Sequence, residues 1–215
     1  MMRTRSHGTA REDAERTRAK LVAAGIREFA RSGYEQANLR DISSSAGVNL
    51  AMISYHFDGK AGLYDNVVRD VVRQVSDVFN DAYQNADLQL LQPEIEPKRQ
   101  ALAGLLRPFL EMATQEFPPD WGWILMREQL QPSKAFKLVH EGVVERFLRT
   151  VAALRASIDN RQPDHDDMLR AIAMYGEVMV FISAKASVQI LMNDMSAEVR
   201  GVESLTRTII DRHLA

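Results

Sequence analysis

The residues best suited to chemistry are small, polar and basic side chains between positions 38 and 60. Ala51 and Ser54 are small enough to let a helix approach another surface closely, and Tyr55 and Lys60 carry groups that bind phosphate oxygens. The major groove of DNA is about 12 Å wide, so it admits one helix and presents base edges to side chains of this kind. We therefore expect this segment to contact double-stranded DNA.

Three helices are needed to position these side chains. Asn38 and Asn49 are N-cap residues placed just before two short runs in which apolar residues recur at helical spacing, and Gly47 lies in the turn between them. A longer amphipathic run precedes both. The pattern predicts helices over residues 15–32, 39–46 and 50–57, which together form a helix-turn-helix unit.

Several short segments in this region also follow a known order and spacing. These segments are Leu39-Arg40-Asp41-Ile42, Ala46-Gly47-Val48, Ile53-Ser54-Tyr55-His56-Phe57, Gly59-Lys60 and Leu63-Tyr64. Over residues 17–68 the sequence resembles the TetR family of transcriptional regulators, with no gap in the spacing. Four residues depart from that family's usual threonine, serine, glycine and tyrosine: Asn38, Asn49, Ala51 and Ser54.

The resemblance implies a set of DNA contacts. The residues implied are Asn38, Arg40, Asn49, Leu50, Ala51, Ser54, Tyr55, His56 and Lys60. Because serine replaces tyrosine at position 54, Tyr55 takes more of the phosphate-binding role. Other interpretations stay open at three positions: Arg40 could pair with Asp41 or Glu35, His56 could be a packing residue, and Lys60 could be an ordinary solvated lysine.

The two parts of the chain differ in charge. Residues 1–60 contain ten Lys or Arg and seven Asp or Glu, whereas the remaining residues contain 17 and 22, within a net charge of −2. A basic segment suits contact with phosphates and an acidic one does not. We therefore divide the chain into a DNA-binding domain over residues 1–60 and a second domain over residues 61–215.

The second domain is predicted to be helical, because no stretch shows the sustained alternation of a strand. Helices are expected over residues 61–83, 97–115, 121–130, 133–158, 164–193 and 197–214, with a polar loop over residues 84–96. The fold class is therefore all-α: a three-helix DNA-binding unit followed by a larger helical domain, about nine helices in all.

The resemblance also implies what the second domain does. In TetR-like proteins this part binds a small-molecule effector and forms a homodimer through the last two helices, here residues 164–193 and 197–214. The first of these is apolar on most sides, which suits burial in its own core and against a partner. Glu177 and Lys185 interrupt its apolar run, so we expect no membrane partner.

A narrower resemblance lies in the middle of the chain. The run Arg127-Glu128-Gln129-Leu130-Gln131-Pro132-Ser133-Lys134-Ala135-Phe136, followed by Val139-His140-Glu141, is similar to the C-terminal domain of the CecR-like subgroup of TetR regulators. It does not indicate which ligand is bound.

Effector pockets are mostly apolar with a few polar groups, and the second domain contains candidates of both kinds. These are Phe109, Met112, Trp121, Trp123, Met126, Arg127, Phe136, Met174, Tyr175, Glu177, Met179 and Phe181. Glu128 and Gln129 could add polar contacts. The alternative is that the aromatic and methionine residues form plain core and that Arg127 and Glu128 form an ion pair.

Several enzyme classes are excluded or disfavoured. The chain has no cysteine, which removes disulfides, thiolate metal sites and thiol nucleophiles. His140-Glu141 lacks the second histidine of a zinc protease motif because Val144 stands there. We interpret the acidic residues at 164–167 as a helix cap, where the helix dipole stabilises carboxylates, and expect no metal, no cofactor and no enzymatic activity.

These observations give one leading expectation and two alternatives. We expect a cytoplasmic bacterial homodimeric repressor that binds a palindromic operator and is released by a small-molecule effector. The first alternative is a DNA-binding protein without an effector, which a second domain lacking a cavity would favour. The second is a helical ligand-binding protein whose DNA-binding segment is vestigial.

Overall fold

In the computed structural model, residues 5–114, 119–193 and 201–214 are described, and all regular structure within them is helical. The all-α prediction is therefore confirmed. The helices are α1 (Arg5–Gln36), α2 (Leu39–Ala46), α3 (Ala51–Phe57), α4 (Lys60–Leu90), α5 (Ile95–Thr114), α6 (Pro119–Leu130), α7 (Phe136–Val139), a π-helical segment (His140–Glu145), α8 (Arg146–Ile158), α9 (His165–Ser183), α10 (Lys185–Asn193) and α11 (Val202–His213).

The helices group into two compact units. One combines residues 1–73 with residues 118–139, and the other combines residues 74–117 with residues 140–215. The segment carrying α6 and α7 thus packs with the helix-turn-helix. Compact units and functional domains are different divisions, and the functional boundary expected at residue 60 stays a prediction.

The first unit has its core where α1, α2, α3 and the start of α4 meet. Phe29, Ile42 and Ile53 are at most 1% exposed there. Gly33 interrupts the long helix α1 with φ 73°, which is favourable for glycine and strained for other residues, so the chain turns before α2. The break agrees with the end predicted for the first helix at residue 32.

The second unit has an aromatic core. The ring of Phe109 on α5 lies 4.5 Å from that of Phe79 on α4 and 4.9 Å from that of Phe147 on α8, measured between ring centroids. The three side chains are at most 3% exposed. Burial of this much aromatic surface holds α4, α5 and α8 together.

The corner between α8 and α9 is built on acidic residues. Asp164 accepts a hydrogen bond from the backbone N–H of Asp167, and Asp167 accepts one from the N–H of Asp164, which forms a capping box. The fully buried Asp167 also accepts hydrogen bonds from Arg155 and Arg161. The interpretation of this cluster as a helix cap is confirmed.

Several predicted boundaries differ from the structure because apolar periodicity detects only buried faces. α1 begins at Arg5 rather than near residue 15, since its first turns are polar. The loop over residues 84–96 is wrong for most of its length: α4 continues to Leu90, with Ala86 completely buried.

Two predicted helices are each divided. A π-helical segment separates α7 from α8, and Ala184 separates α9 from α10. The last helix begins at Val202, and residues 115–118 and 194–200, which touch two predicted helix ends, lie outside the described residues. Across the described part of the chain, every helix is too short or too polar to cross a bilayer.

Candidate DNA interface

Three local features fix the two ends of α2 and the start of α3. Asn38 Oδ1 accepts a hydrogen bond from the Arg40 backbone N–H, and Asn49 Oδ1 accepts one from the Ala51 N–H, both at 2.9 Å. Gly47 adopts the left-handed conformation with φ 67° and ends α2. Both asparagines are therefore caps, and both remain exposed, so their predicted DNA contacts stay predictions.

The helix α3 has one buried and one exposed face. Ile53 and Phe57 are 1% and 4% exposed, whereas the Tyr55 side chain is 78% exposed. Three other residues predicted to face DNA are also exposed: Leu50, Ala51 and Ser54. The structure thus gathers these four on one accessible surface, as a helix that enters the major groove requires.

Arg40 and His56 have different surroundings. Arg40 is exposed, and among the described residues its side chain forms no ion pair with Asp41 or Glu35. His56 is half-buried, with its ring centroid 4.9 Å from that of Tyr55 and its Nε2 buried without a hydrogen-bond partner among the described residues. Arg40 is therefore available to a phosphate or base, whereas the position of His56 is typical of a packing residue.

Lys60 is held against the end of α1. Its Nζ donates to the backbone oxygen of Glu35 at 2.8 Å and lies 5.2 Å from the ring centroid of Tyr34. Lys60 is half-buried as a residue rather than freely solvated. These two contacts restrict the position of the ammonium group more than that of an ordinary surface lysine. From this position it can approach a phosphate.

One cation beside α3 was missed by the sequence analysis. The exposed Arg18 on α1 lies with its guanidinium carbon 5.5 Å from the ring centroid of Phe57, and it donates to Asn66 Oδ1. Its position four residues before the buried Val22 could have placed it on the inner face of α1. It is a further candidate for phosphate contact.

Two of the effector-pocket candidates in the second unit lie in the core. Phe109 and Met174 are buried, and the Tyr175 ring centroid lies 6.0 Å from that of Phe109. Burial raises the pKa of Tyr175 to about 12. Glu177 forms an ion pair with Arg212, and its Oε2 lies 3.3 Å from His213 Nε2, so its carboxylate connects α9 to α11.

The remaining candidates are distributed differently. Met179 and Phe181 are half-buried in the second unit, whereas Trp121, Met126 and Phe136 are half-buried in the first. Trp123 is 52% exposed, and the side chain of Met112 lies outside the described part. Two grooves of the second unit, about 490 and 200 Å³, are lined by other residues. A pocket built from these candidates stays a prediction.

Arg127 and Glu128 do not pair with each other. Arg127 Nη2 lies 3.5 Å from the backbone oxygens of Ala30 and Arg31 on α1. Glu128 is 1% exposed and accepts a hydrogen bond from the Tyr64 hydroxyl at 2.6 Å. The expected alternative of a mutual ion pair is therefore wrong, and both residues join α6 to helices of the same unit.

Two family models match this chain. Residues 21–67 match the bacterial regulatory proteins of the tetR family, and residues 98–215 match the C-terminal domain of the HTH-type transcriptional dual regulator CecR. CecR of Shigella flexneri is 27% identical over 203 residues, which cover 91% of this chain and 88% of that protein.

Solved structures share the fold. A TetR-like transcriptional regulator from Rhodococcus aligns with a TM-score of 0.63 at 18% identity, covering 92% of this chain and 93% of the other. FadR of Bacillus subtilis, solved in complex with stearoyl-CoA, aligns with a TM-score of 0.61 at 13% identity, covering 92% and 97%.

Proposed function

Because this chain belongs to the TetR family of DNA-binding transcriptional regulators, with a CecR-type C-terminal domain, we propose that it is a ligand-responsive homodimeric repressor of a palindromic operator. The observation that carries the proposal is the exposed face of α3, where Tyr55 and its small neighbours stand opposite the buried Ile53 and Phe57. Its operator lies in the bacterial cytoplasm, which is where we place the protein.

A homodimer is supported by unpartnered apolar side chains on α9 and α10. Leu169, Ile172 and Val180 are 45–50% exposed and follow one another at helical spacing, and Ile190 and Leu191 on α10 are more exposed still. Soluble monomers rarely display a continuous apolar stripe of this kind. A twofold interface would cover it and would present two recognition helices to successive major grooves about 34–36 Å apart.

The effector would act by shifting the population between two arrangements of the dimer. A ligand that binds better to the arrangement with low operator affinity releases the DNA, by a factor limited to its differential affinity for the two arrangements. FadR, with its bound acyl-CoA, supports a small-molecule effector for a chain of this fold. The chemical class of the ligand does not follow from that likeness.

Selection of genomic DNA by the purified protein tests the proposal. Fragments retained at moderate salt are sequenced, and we expect a palindrome whose half-sites lie about one helical turn apart. The matched control is Tyr55→Ala, which removes the most exposed ring of α3 and should abolish enrichment of the same fragments. Equal enrichment by both proteins would show that α3 does not read sequence.

The phosphate contact proposed for Lys60 has its own signature. Lys60→Ala should weaken binding of all sequences to a similar degree and lower the salt slope of the association constant by about 0.9, since one counterion-releasing contact is lost. Tyr55→Ala should instead weaken binding most at particular base pairs if the side chain reads bases, and uniformly if it binds only phosphate. An unchanged salt slope for Lys60→Ala would exclude the phosphate role.

A further inference from the structure

The segment from Arg127 to Ser133 is part of the run that resembles the CecR-like subgroup, and the proposed function assigns it no role. It spans the end of α6 and the loop before α7, and it packs in the same compact unit as the helix-turn-helix. We use the term DNA-binding head for α1, α2, α3 and the first two turns of α4. Contacts within this unit account for Arg127, Glu128 and Ser133.

Arg127 binds the end of the main part of α1. Its guanidinium donates to the backbone oxygens of Ala30 and Arg31, two of the last carbonyls before the break at Gly33. Such carbonyls lack partners within the helix and form the negative end of its dipole, so a cation stabilises them. A Cβ atom at Gly33 would lie 2.9 Å from Arg127 Nη1, so any other residue at position 33 would require the guanidinium to shift.

Glu128 binds α4 through a buried carboxylate. Oε1 accepts from the Tyr64 hydroxyl at 2.6 Å and from Ser133 Oγ at 2.8 Å, and Oε2 accepts from the Ser133 backbone N–H at 3.1 Å. Burial, together with this hydrogen bond, raises the pKa of Tyr64 above its ordinary range, so the hydroxyl remains a donor. Charged acceptors with several donors make strong, directional contacts.

A short series of contacts connects Glu128 to Lys60. The ring of Tyr64 packs against that of Tyr34 with 5.0 Å between centroids, and the Lys60 ammonium group lies 5.2 Å from the Tyr34 centroid. Lys60 also donates to the backbone oxygen of Glu35. Lys60 and Arg127 therefore hold neighbouring backbone at the end of α1, one on each side of Gly33.

We propose that Arg127 and Glu128 are positioning residues of the DNA-binding head, which fix the Tyr34–Tyr64 surface on which Lys60 meets phosphate. This inference rests on the proposed function. It makes a segment of the CecR-type C-terminal domain a part of the DNA-binding apparatus. In this proposal neither residue contacts DNA, and both act by fixing the position of the Lys60 side chain.

A double-mutant cycle on operator binding tests the inference. Operator affinity is measured by fluorescence anisotropy as a function of salt for the wild type, Tyr64→Phe, Lys60→Met and the double variant. We expect Tyr64→Phe to weaken binding by about threefold to tenfold, as for coupled neighbouring side chains, and to lower the salt slope. In the Lys60→Met background the same substitution should have no further effect.

Matched variants control for loss of a buried hydroxyl and for loss of stability. Tyr83→Phe removes a buried hydroxyl from the same helix, α4, outside the DNA-binding head, and should leave operator affinity unchanged. Ser133→Ala removes the hydrogen bond that the Ser133 hydroxyl donates to Glu128, and it should reproduce the effect of Tyr64→Phe. Thermal unfolding establishes that each variant is folded at the assay temperature.

Amide hydrogen exchange in the free protein separates failure of this inference from failure of the proposed function. Residues 34–37 and 60–64 should exchange faster in Tyr64→Phe and in Arg127→Met than in the wild type, and Tyr83→Phe should not change them. Unchanged exchange, or equal losses of affinity in the wild-type and Lys60→Met backgrounds, would overturn the inference. Faster exchange in a protein that selects no operator would support the positioning role and count against the proposed function.

Discussion

Gly62, in the first turn of α4, lies close to the end of α3. A Cβ atom at this position would lie 1.7 Å from the backbone oxygen of Phe57, the last residue of α3. Real Cβ atoms essentially never come within 3.0 Å of another heavy atom, and a backbone oxygen cannot move aside as a flexible side chain can. The close approach of α4 to the recognition helix therefore depends on glycine at position 62.

Gly62→Ala should lower the free energy of unfolding by about 1–3 kcal/mol, the usual range for overpacking, and should weaken operator binding because α3 shifts. The control is Gly104→Ala in α5, where a Cβ meets nothing within 4 Å. There alanine should stabilise the protein by up to about 1 kcal/mol through its helix propensity. Urea unfolding measures both, and a Gly62→Ala protein as stable as Gly104→Ala would contradict the steric argument.

At the scale of elements, the corner between α8 and α9 depends on one carboxylate. Asp167 is completely buried, whereas its neighbour Asp166 forms an exposed pair with Arg170. Hydrogen bonds from Arg161 hold the pKa of Asp167 well below its usual range. Because the folded-state pKa is lowered, this stabilisation is present above the unfolded-state pKa of about 3.9 and is lost as the pH falls below it.

Asp167→Asn should lower the free energy of unfolding at pH 7 by about 3 kcal/mol, the lower end of the range for breaking a buried ion pair, since Arg161 is one-third exposed. The difference from the wild type should shrink as the pH is lowered from 5 to 3. Urea unfolding across this pH range measures it. Asp166→Asn should change stability little, because exposed pairs contribute weakly. Equal effects of the two substitutions would exclude the buried pair as the main contact of this corner.

The sequence predicted elements best where an apolar face and a cap coincide. The bounds of α2 were predicted correctly, because Asn38 and Gly47 flank a run with a buried Ile42. A single helix was predicted over residues 164–193, but the structure divides it at Ala184. The division was missed because apolar residues continue on both sides of the break. Periodicity records which residues are apolar, and it contains no signal for an interruption of this kind.

The candidate site shows the same limit. The exposed face of α3 could be predicted as the complement of Ile53 and Phe57, since local spacing determines both faces. The hydrogen bond between Tyr64 and Glu128 joins residues 64 positions apart, and no local pattern specifies such a pair. The CecR-like resemblance drew attention to Glu128, but its partner became evident only from the fold.

At the scale of the whole molecule, the apolar stripe on α9 determines the proposed assembly. Ile172→Glu places a charge among Leu169 and Val180, and burying an unpaired charge in an interface is strongly unfavourable. We expect this variant to be a monomer by light scattering and to lose most of its operator affinity.

The matched control for the assembly is Leu88→Glu, at a comparably exposed leucine on α4 away from the stripe. It should remain dimeric and should bind the operator as the wild type does. A dimeric Ile172→Glu protein would place the interface on another surface, and a monomer with full operator affinity would remove the need for a dimer.

The grouping of residues 118–139 with the helix-turn-helix limits how a chimera of two related regulators can be built. A chimera made by joining two parents at one junction near residue 73 would take Tyr64 from one parent and Glu128 from the other. The buried hydroxyl and the carbonyls of Ala30 and Arg31 would then depend on a foreign sequence for their partners. A functional exchange of DNA specificity thus requires two transplanted pieces, residues 1–73 and residues 118–139, taken from the same parent.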